Sequence, residues 1–185
     1  KISFDTIYHE HRNYYSKRSL ITVLKKINLK ILKFENLEYM SGSLRVYLIN
    51  QNFAKKDYKK FKKFNLQLFN KFIKKSMLIK KFLKKFVSKY KNKNIVGIGA
   101  ATKGNTLLNY CGFNFDQIDC ILEKSKHKIG KFTPSSAIPI ISENKQIKAD
   151  AIIFLPWNIN SFLKKNFLSK FNVDYISLED IVKKL

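Results

Sequence analysis

Six glycines, three prolines and two cysteines in 185 residues leave this chain short of the material of collagen-like repeats, Pro-rich linkers and disulfide scaffolds. Cys111 and Cys120 form no CxxC pair, and two thiols do not make a disulfide framework, so a reduced, cytoplasmic protein is expected. No run of 18 apolar residues occurs and no signal-peptide pattern opens the chain, which indicates neither membrane insertion nor export. Acidic residues are scarce too, 13 against 37 Lys and Arg, for a net charge of +24. That field invites a nucleic-acid or anionic-membrane reading. Arginine is scarcer still: Arg12, Arg18 and Arg45 are its only positions, whereas a specific phosphate reader more often carries arginine forks. Lys, Asn, Ile, Phe and Tyr are all abundant and all have AT-rich codons, so a genome bias that places lysine at tolerant surface sites accounts for the charge without a specific nucleic-acid partner.

With 45% hydrophobic residues the chain has enough apolar material for one good core or two small ones. Its densest chemistry is at the start, in Phe4-Asp5-Thr6-Ile7-Tyr8-His9-Glu10-His11, which holds two of the three histidines. Each imidazole can take or give a proton near neutral pH, and Glu10 and Tyr8 can orient one or bond a substrate oxygen. An isolated histidine is more often a satisfied core residue, but a cluster counts against that. In a regular strand Tyr8 and Glu10 would face opposite to His9 and His11, so cooperation of Glu10 with His11 requires a turn. No second His/Cys/Asp/Glu cluster sits nearby in sequence, so no metal site is expected in this chain.

Three segments follow. Residues 1–50 should form a short helix capped by Ser19 and running to about Asn28, with Leu20, Val23, Leu24 and Ile27 on a core-facing side. Two strands, Lys30–Leu37 and Leu44–Ile49, complete that segment. Residues 51–92 form a Lys-rich connector: between 53 and 91 there are 15 lysines and one acid, Asp57. Tyr58, Phe61, Phe64, Leu68, Phe72, Ile79, Phe82, Phe86 and Tyr90 recur there at helical spacing, which describes a long amphipathic helix or a pair. A membrane- or RNA-binding helix is the sharper reading, and packing against neighbouring domains accounts for the pattern better. Residues 93–185 alternate strands and helices: strand 95–99, helix 105–111, strands 118–122 and 151–155, helix 161–169, strand 173–176 and helix 178–184. The alternation implies a mostly parallel, Rossmann-like sheet within an α/β fold. Ligands on such sheets lie at the carboxyl ends of the strands, here Gly97–Asn105, Glu123–Lys128 and Pro156–Asn158.

A lone Gly-x-Gly after a strand is a weak phosphate-loop signal and is often just a tight turn. Lys103, Gly104, Asn105 and Thr106 strengthen it, because a helix N-terminus offers amide donors and a positive dipole to an anion, here with a lysine and a hydroxyl alongside. The third glycine falls at 104, so the dinucleotide pattern is not kept and no bound dinucleotide coenzyme is expected. The basic run Lys124–Pro134 reads equally well as a solvated loop or a ligand contact. Trp157 reads best as a core plug.

The wording Tyr8-His9-Glu10-His11, Ser41-Gly42-Ser43-Leu44-Arg45-Val46-Tyr47, Lys103-Gly104-Asn105-Thr106 and Leu155-Pro156-Trp157-Asn158 resembles the C-methyltransferases that act on nucleotide-linked keto sugars, from about Ile2 to Trp157. The resemblance implies that residues 1–50 end an adenosylmethionine-dependent catalytic core and that 93–185 help hold the nucleotide diphosphate of the sugar. By position, it makes His11 the general base that removes a proton beside the sugar ketone, with Glu10 and Tyr8 in support. The resulting enolate attacks the methyl group of S-adenosylmethionine. His9 is left as structural, and Lys103, Asn105 and Thr106 become the substrate-binding candidates. Where the family has a His-Gly pair this chain has Met40-Ser41. The chain opens at Lys1 inside a motif that the family places well within its sequence, without the family's zinc-binding module or most of its adenosylmethionine site. A back portion of a longer enzyme, inactive alone, is therefore expected. The alternatives are a non-catalytic nucleotide-sugar-binding module and a basic RNA- or membrane-surface protein.

Overall fold

Two compact units make up the protein, one spanning His11–Leu66 and the other combining the stretch that ends at Glu10 with Gln67–Leu185. The computed structural model describes residues 6–38, 42–53, 66–156, 160–169 and 171–185. Phe4, Asp5, Met40, Ser41, Tyr58, Phe61, Phe64, Trp157 and Asn158 lie outside the described residues.

In the smaller unit, helix α1 (Lys17–Lys26) precedes strands β1 (Leu29–Leu37) and β2 (Ser43–Asn50). Ser16, not the expected Ser19, is the cap. Ser16 Oγ accepts from the Ser19 amide at 3.0 Å while Ser19 Oγ accepts from the Ser16 amide at 2.8 Å, a reciprocal capping box in which Ser19 is the third helical residue. The helix gives way at Asn28, whose φ of 58° is left-handed, a conformation asparagine tolerates. The strands pair antiparallel from Leu29↔Asn50 to Leu37↔Ser43, with a register shift between Ile31 and Lys33. Only Leu24 and Ile31 are buried among the described residues of this unit; Val23 and Ile27, expected on the core face, are 40% and 61% exposed. One ten-residue helix on two strands is too small to enclose its own apolar side chains.

The larger unit is built on a five-stranded, wholly parallel sheet in the order β5-β4-β3-β6-β7. Its elements are α2 (Leu66–Lys89), β3 (Ile95–Ile98), α3 (Thr102–Cys111), β4 (Cys120–Glu123), β5 (Ile140–Ser142), β6 (Ala151–Phe154), α4 (Asn160–Phe167), β7 (Asp174–Ser177) and α5 (Leu178–Lys183). The mixed α/β architecture is thus the one the alternation implies. β5 was not anticipated, and α3 begins three residues before its expected start.

Strand residues sort onto two faces with the period of two. Ile95, Ile121, Ala151 and Ile153 face one core with α2, α3 and α5; Val96, Ile98, Cys120, Leu122, Ile152 and Phe154 face the other with α4. Both faces are therefore covered, as a parallel sheet requires. Cys111 and Cys120 are free, buried and divided between the two cores. Burial pushes their thiols up to about 12 and about 11, which keeps them protonated.

α2 packs on the sheet through Ile79, Leu83 and Val87, with Tyr90 just beyond its end, rather than through the full aromatic stripe. Leu68 and Phe82, both placed on that stripe, are exposed. No helix among the described residues is long and apolar enough to cross a membrane.

At the carboxyl end of the chain, Asp180 accepts from Lys164 Nζ at 2.7 Å and from Ser177 Oγ at 2.6 Å. Burial pushes its carboxyl up, but those two donors outweigh it and hold it below the ordinary carboxylate value. A depressed carboxylate adds stability above its unfolded pKa and loses it as pH falls through the folded one. Asp180→Ala should therefore lower unfolding free energy by about 1–2 kcal/mol at neutral pH. In a pH series of urea melts the gap to the wild type should close in acid, and a pH-independent gap would deny the pair this role.

Candidate functional site

β3 sits where neighbouring strands leave in opposite chain directions, β4 on one side and β6 on the other, so its carboxyl end is the crevice of a doubly wound sheet. The chain turns there at Gly99, whose φ is +84° and whose amide donates to the Leu122 carbonyl at 2.8 Å. Gly104 then brings α3 onto β6: a Cβ at this position would lie 2.6 Å from Leu155 Cβ. Ala101 caps α3 with no side-chain acceptor, which leaves the first-turn amides to be met by something other than a cap.

These features open onto a cleft of about 350 Å³. Leu108, Ile121, Ile140 and Leu155 supply apolar lining; Tyr8, His9, Glu10, Thr102, Asn105, His127, Lys128, Lys131 and Thr133 supply the polar groups. A second cavity of about 490 Å³ shares Tyr8 and Asn105 and adds Phe72, Ser76, Thr106 and Tyr110. Among the described residues, Asn105 Oδ1 is the one buried side-chain polar atom without a hydrogen-bond partner. Such an atom calls for an explanation, and a ligand donor supplies one.

Tyr8 and Glu10 both line the cleft, as does His9, which was expected to be merely structural. Tyr8–Glu10 form a bend and turn rather than a regular strand. His11 is the first residue of the smaller unit, where its ring meets Tyr14 edge-on at 6.4 Å between centroids. Asn105 lines both cavities, Thr106 only the second, and Lys103 neither. The Thr106 hydroxyl turns back to the Thr102 carbonyl at 3.2 Å.

His127 and Lys131, exposed side chains in the cleft lining, were not singled out from sequence; a basic loop after a strand was their only signal. Glu123 was named only as the start of the Glu123–Lys128 strand end, with no role of its own. Burial pushes its carboxyl up, but the amides of Ser125, Ala100 and Lys124 and the Lys128 ammonium together hold it below the ordinary carboxylate range. Among the described residues no three His, Cys, Asp or Glu side chains converge as a metal site.

The family described as C-methyltransferase C-terminal domain matches residues 40–167. C-methyltransferase NovU of Streptomyces niveus is 26% identical over 178 residues, a match that takes in 84% of this chain and 40% of NovU. The chain thus spans about two fifths of the length of this curated relative.

Proposed function

Because this chain belongs to the C-methyltransferase C-terminal domain family, we propose that it is the carboxyl-terminal portion of an enzyme that methylates a carbon of a nucleotide-linked keto sugar. The larger unit holds the substrate's nucleotide diphosphate in the cleft at β3 and β6, with Asn105 on α3 as its contact there, Thr106 in the adjoining cavity and Lys103 beside the helix start, outside both linings. Asn105 carries this reading: a buried acceptor without a partner, beside a helix start without a side-chain cap, suits a ligand that brings both hydroxyl or N–H donors and phosphate acceptors. His11 removes the proton beside the sugar ketone, Glu10 orients it, and the Tyr8 hydroxyl donates to the developing enolate oxygen. The exposed Val23, Ile27 and Leu32 support reading the smaller unit as the end of a larger catalytic core.

S-adenosylmethionine, when bound, supplies an electrophilic methyl group. The cleft described here does not fit it: Glu123, the carboxylate placed to take a ribose diol, already accepts three backbone amides. In this reading the methyl donor and the family's zinc belong to other parts of the enzyme, and the chain alone should not methylate.

Calorimetric titration of the chain with thymidine diphosphate tests the reading. Saturable one-to-one binding is expected, weakened about tenfold by Asn105→Ala, the loss of roughly one hydrogen bond to a charged ligand, and less by Lys103→Ala, whose side chain is outside the cleft lining. No heat from a folded chain would assign the nucleotide to another part of the enzyme.

A further inference from the structure

Glu123 and Lys128 grip one residue from both sides. Ala100 lies between the left-handed turn at Gly99 and the cap of α3 at Ala101. Its amide donates to Glu123 Oε2 at 2.9 Å, and its carbonyl accepts from Lys128 Nζ at 2.7 Å. The other carboxylate oxygen, Oε1, accepts the amides of Lys124 and Ser125, each at 2.9 Å. Glu123 Oε2 and Lys128 Nζ are themselves 3.7 Å apart. The Glu123 side chain is only 14% exposed, so bonds between its charge and these amides are weakly screened, whereas the lysine is 46% exposed and its arm is the weaker one.

We infer that Glu123 and Lys128 are positioning residues that tie the loop after β3 to the loop after β4, fixing where the first turn of α3 meets a ligand. Neither side chain needs to touch the ligand for this. Both polar groups of Ala100 are held, and with them the direction in which α3 leaves the sheet. The cleft consequently receives its ligand without a free carboxylate at the end of β4, where dinucleotide-binding sheets commonly hold a ribose diol. The ligand half of this inference rests on the nucleotide-sugar reading; the loop half does not.

Glu123→Gln separates the arms. Its amide oxygen can still take the Lys124 and Ser125 donors, while its NH₂ meets the Ala100 N–H donor to donor. Amide hydrogen exchange followed by NMR on the chain should show Ala100 exchanging at least about tenfold faster in this variant, with the amides of β3 and β6 unchanged. Lys128→Met, which keeps the carboxylate, should accelerate the same amide less. Thymidine diphosphate affinity should fall about tenfold in Glu123→Gln, one lost hydrogen bond's worth of alignment, and NAD should not bind saturably to the wild type.

Unchanged Ala100 protection in Glu123→Gln overturns the inference. So does NAD binding abolished by that change, which would make the carboxylate a ligand contact. If Glu123→Gln fails to fold, Lys128→Met decides by the same amide: acceleration supports the clamp and none overturns it. A wild type that ignores thymidine diphosphate defeats the nucleotide reading only, and exchange at Ala100 still judges the clamp.

Discussion

Gly99→Ala should cost the larger unit about 3 kcal/mol of folding stability, read as a lower urea midpoint at unchanged slope. Two terms add. An L-residue at a φ of +84° costs about 1–2 kcal/mol. The new Cβ would also stand 2.5 Å from Pro156 Cγ and 2.9 Å from Pro156 Cδ, atoms of a ring that cannot swing aside, and overpacking of this kind costs about 1–3 kcal/mol. The lower entropy of an unfolded chain carrying alanine gives back at most about 1 kcal/mol. Gly130→Ala separates the terms: its φ of +80° is comparable, but a Cβ there meets nothing within 4 Å, so only the backbone cost should appear. Equal losses at the two positions would mean that the turn after β3 yields and Pro156 does not set its path.

In a complete methyltransferase carrying this segment, His11→Asn should lower kcat by about 10²–10⁴ with KM little changed, the usual worth of a positioned general base. The chain's fold should survive, because His11 is exposed and buries no core surface. His9→Asn is the necessary comparison, since His9 lines the cleft of the larger unit. It should cost less than tenfold. A greater loss at His9 than at His11 would transfer the base to the neighbouring imidazole, and modest losses at both would leave proton removal to another group.

What sequence made legible follows physical lines. Ile95-Val96-Gly97-Ile98 and Ala151-Ile152-Ile153-Phe154 are apolar on both faces because both faces are covered, and such runs announce central parallel strands. β5 escaped because three residues after Pro139 carry too little periodicity to register. The start of α3 was misplaced because Ala101 carries no capping side chain. On α2 two apolar stripes compete: Phe69, Ile73 and Met77 repeat at helical spacing as convincingly as Ile79, Leu83 and Val87, and only tertiary contact decides which is buried. Within the cleft, Tyr8, Glu10 and Asn105 could be named in advance from unusual wording and a strand-to-helix turn. Lys128 and Lys131 were legible only as members of the basic run Lys124–Pro134, since their place in the cleft beside Ala100 and Asn105 is made by the return of a loop some 25 positions away in sequence, whereas Lys103, adjacent to the turn, stands outside the lining.

The strand order also dictates a schedule for biosynthesis. β3 meets β4 24 positions later in the chain but waits 56 positions for β6. A nascent chain that has emerged as far as β5 therefore carries three strands with the β3 edge that β6 will cover still bare. Non-local pairing of this kind is slow, and unpaired apolar edges invite self-association. The ribosome must deliver Ala151–Phe154 before the sheet can close, so synthesis interrupted in the stretch between β5 and β6 would leave a product suited to chaperones and proteases rather than to ligands.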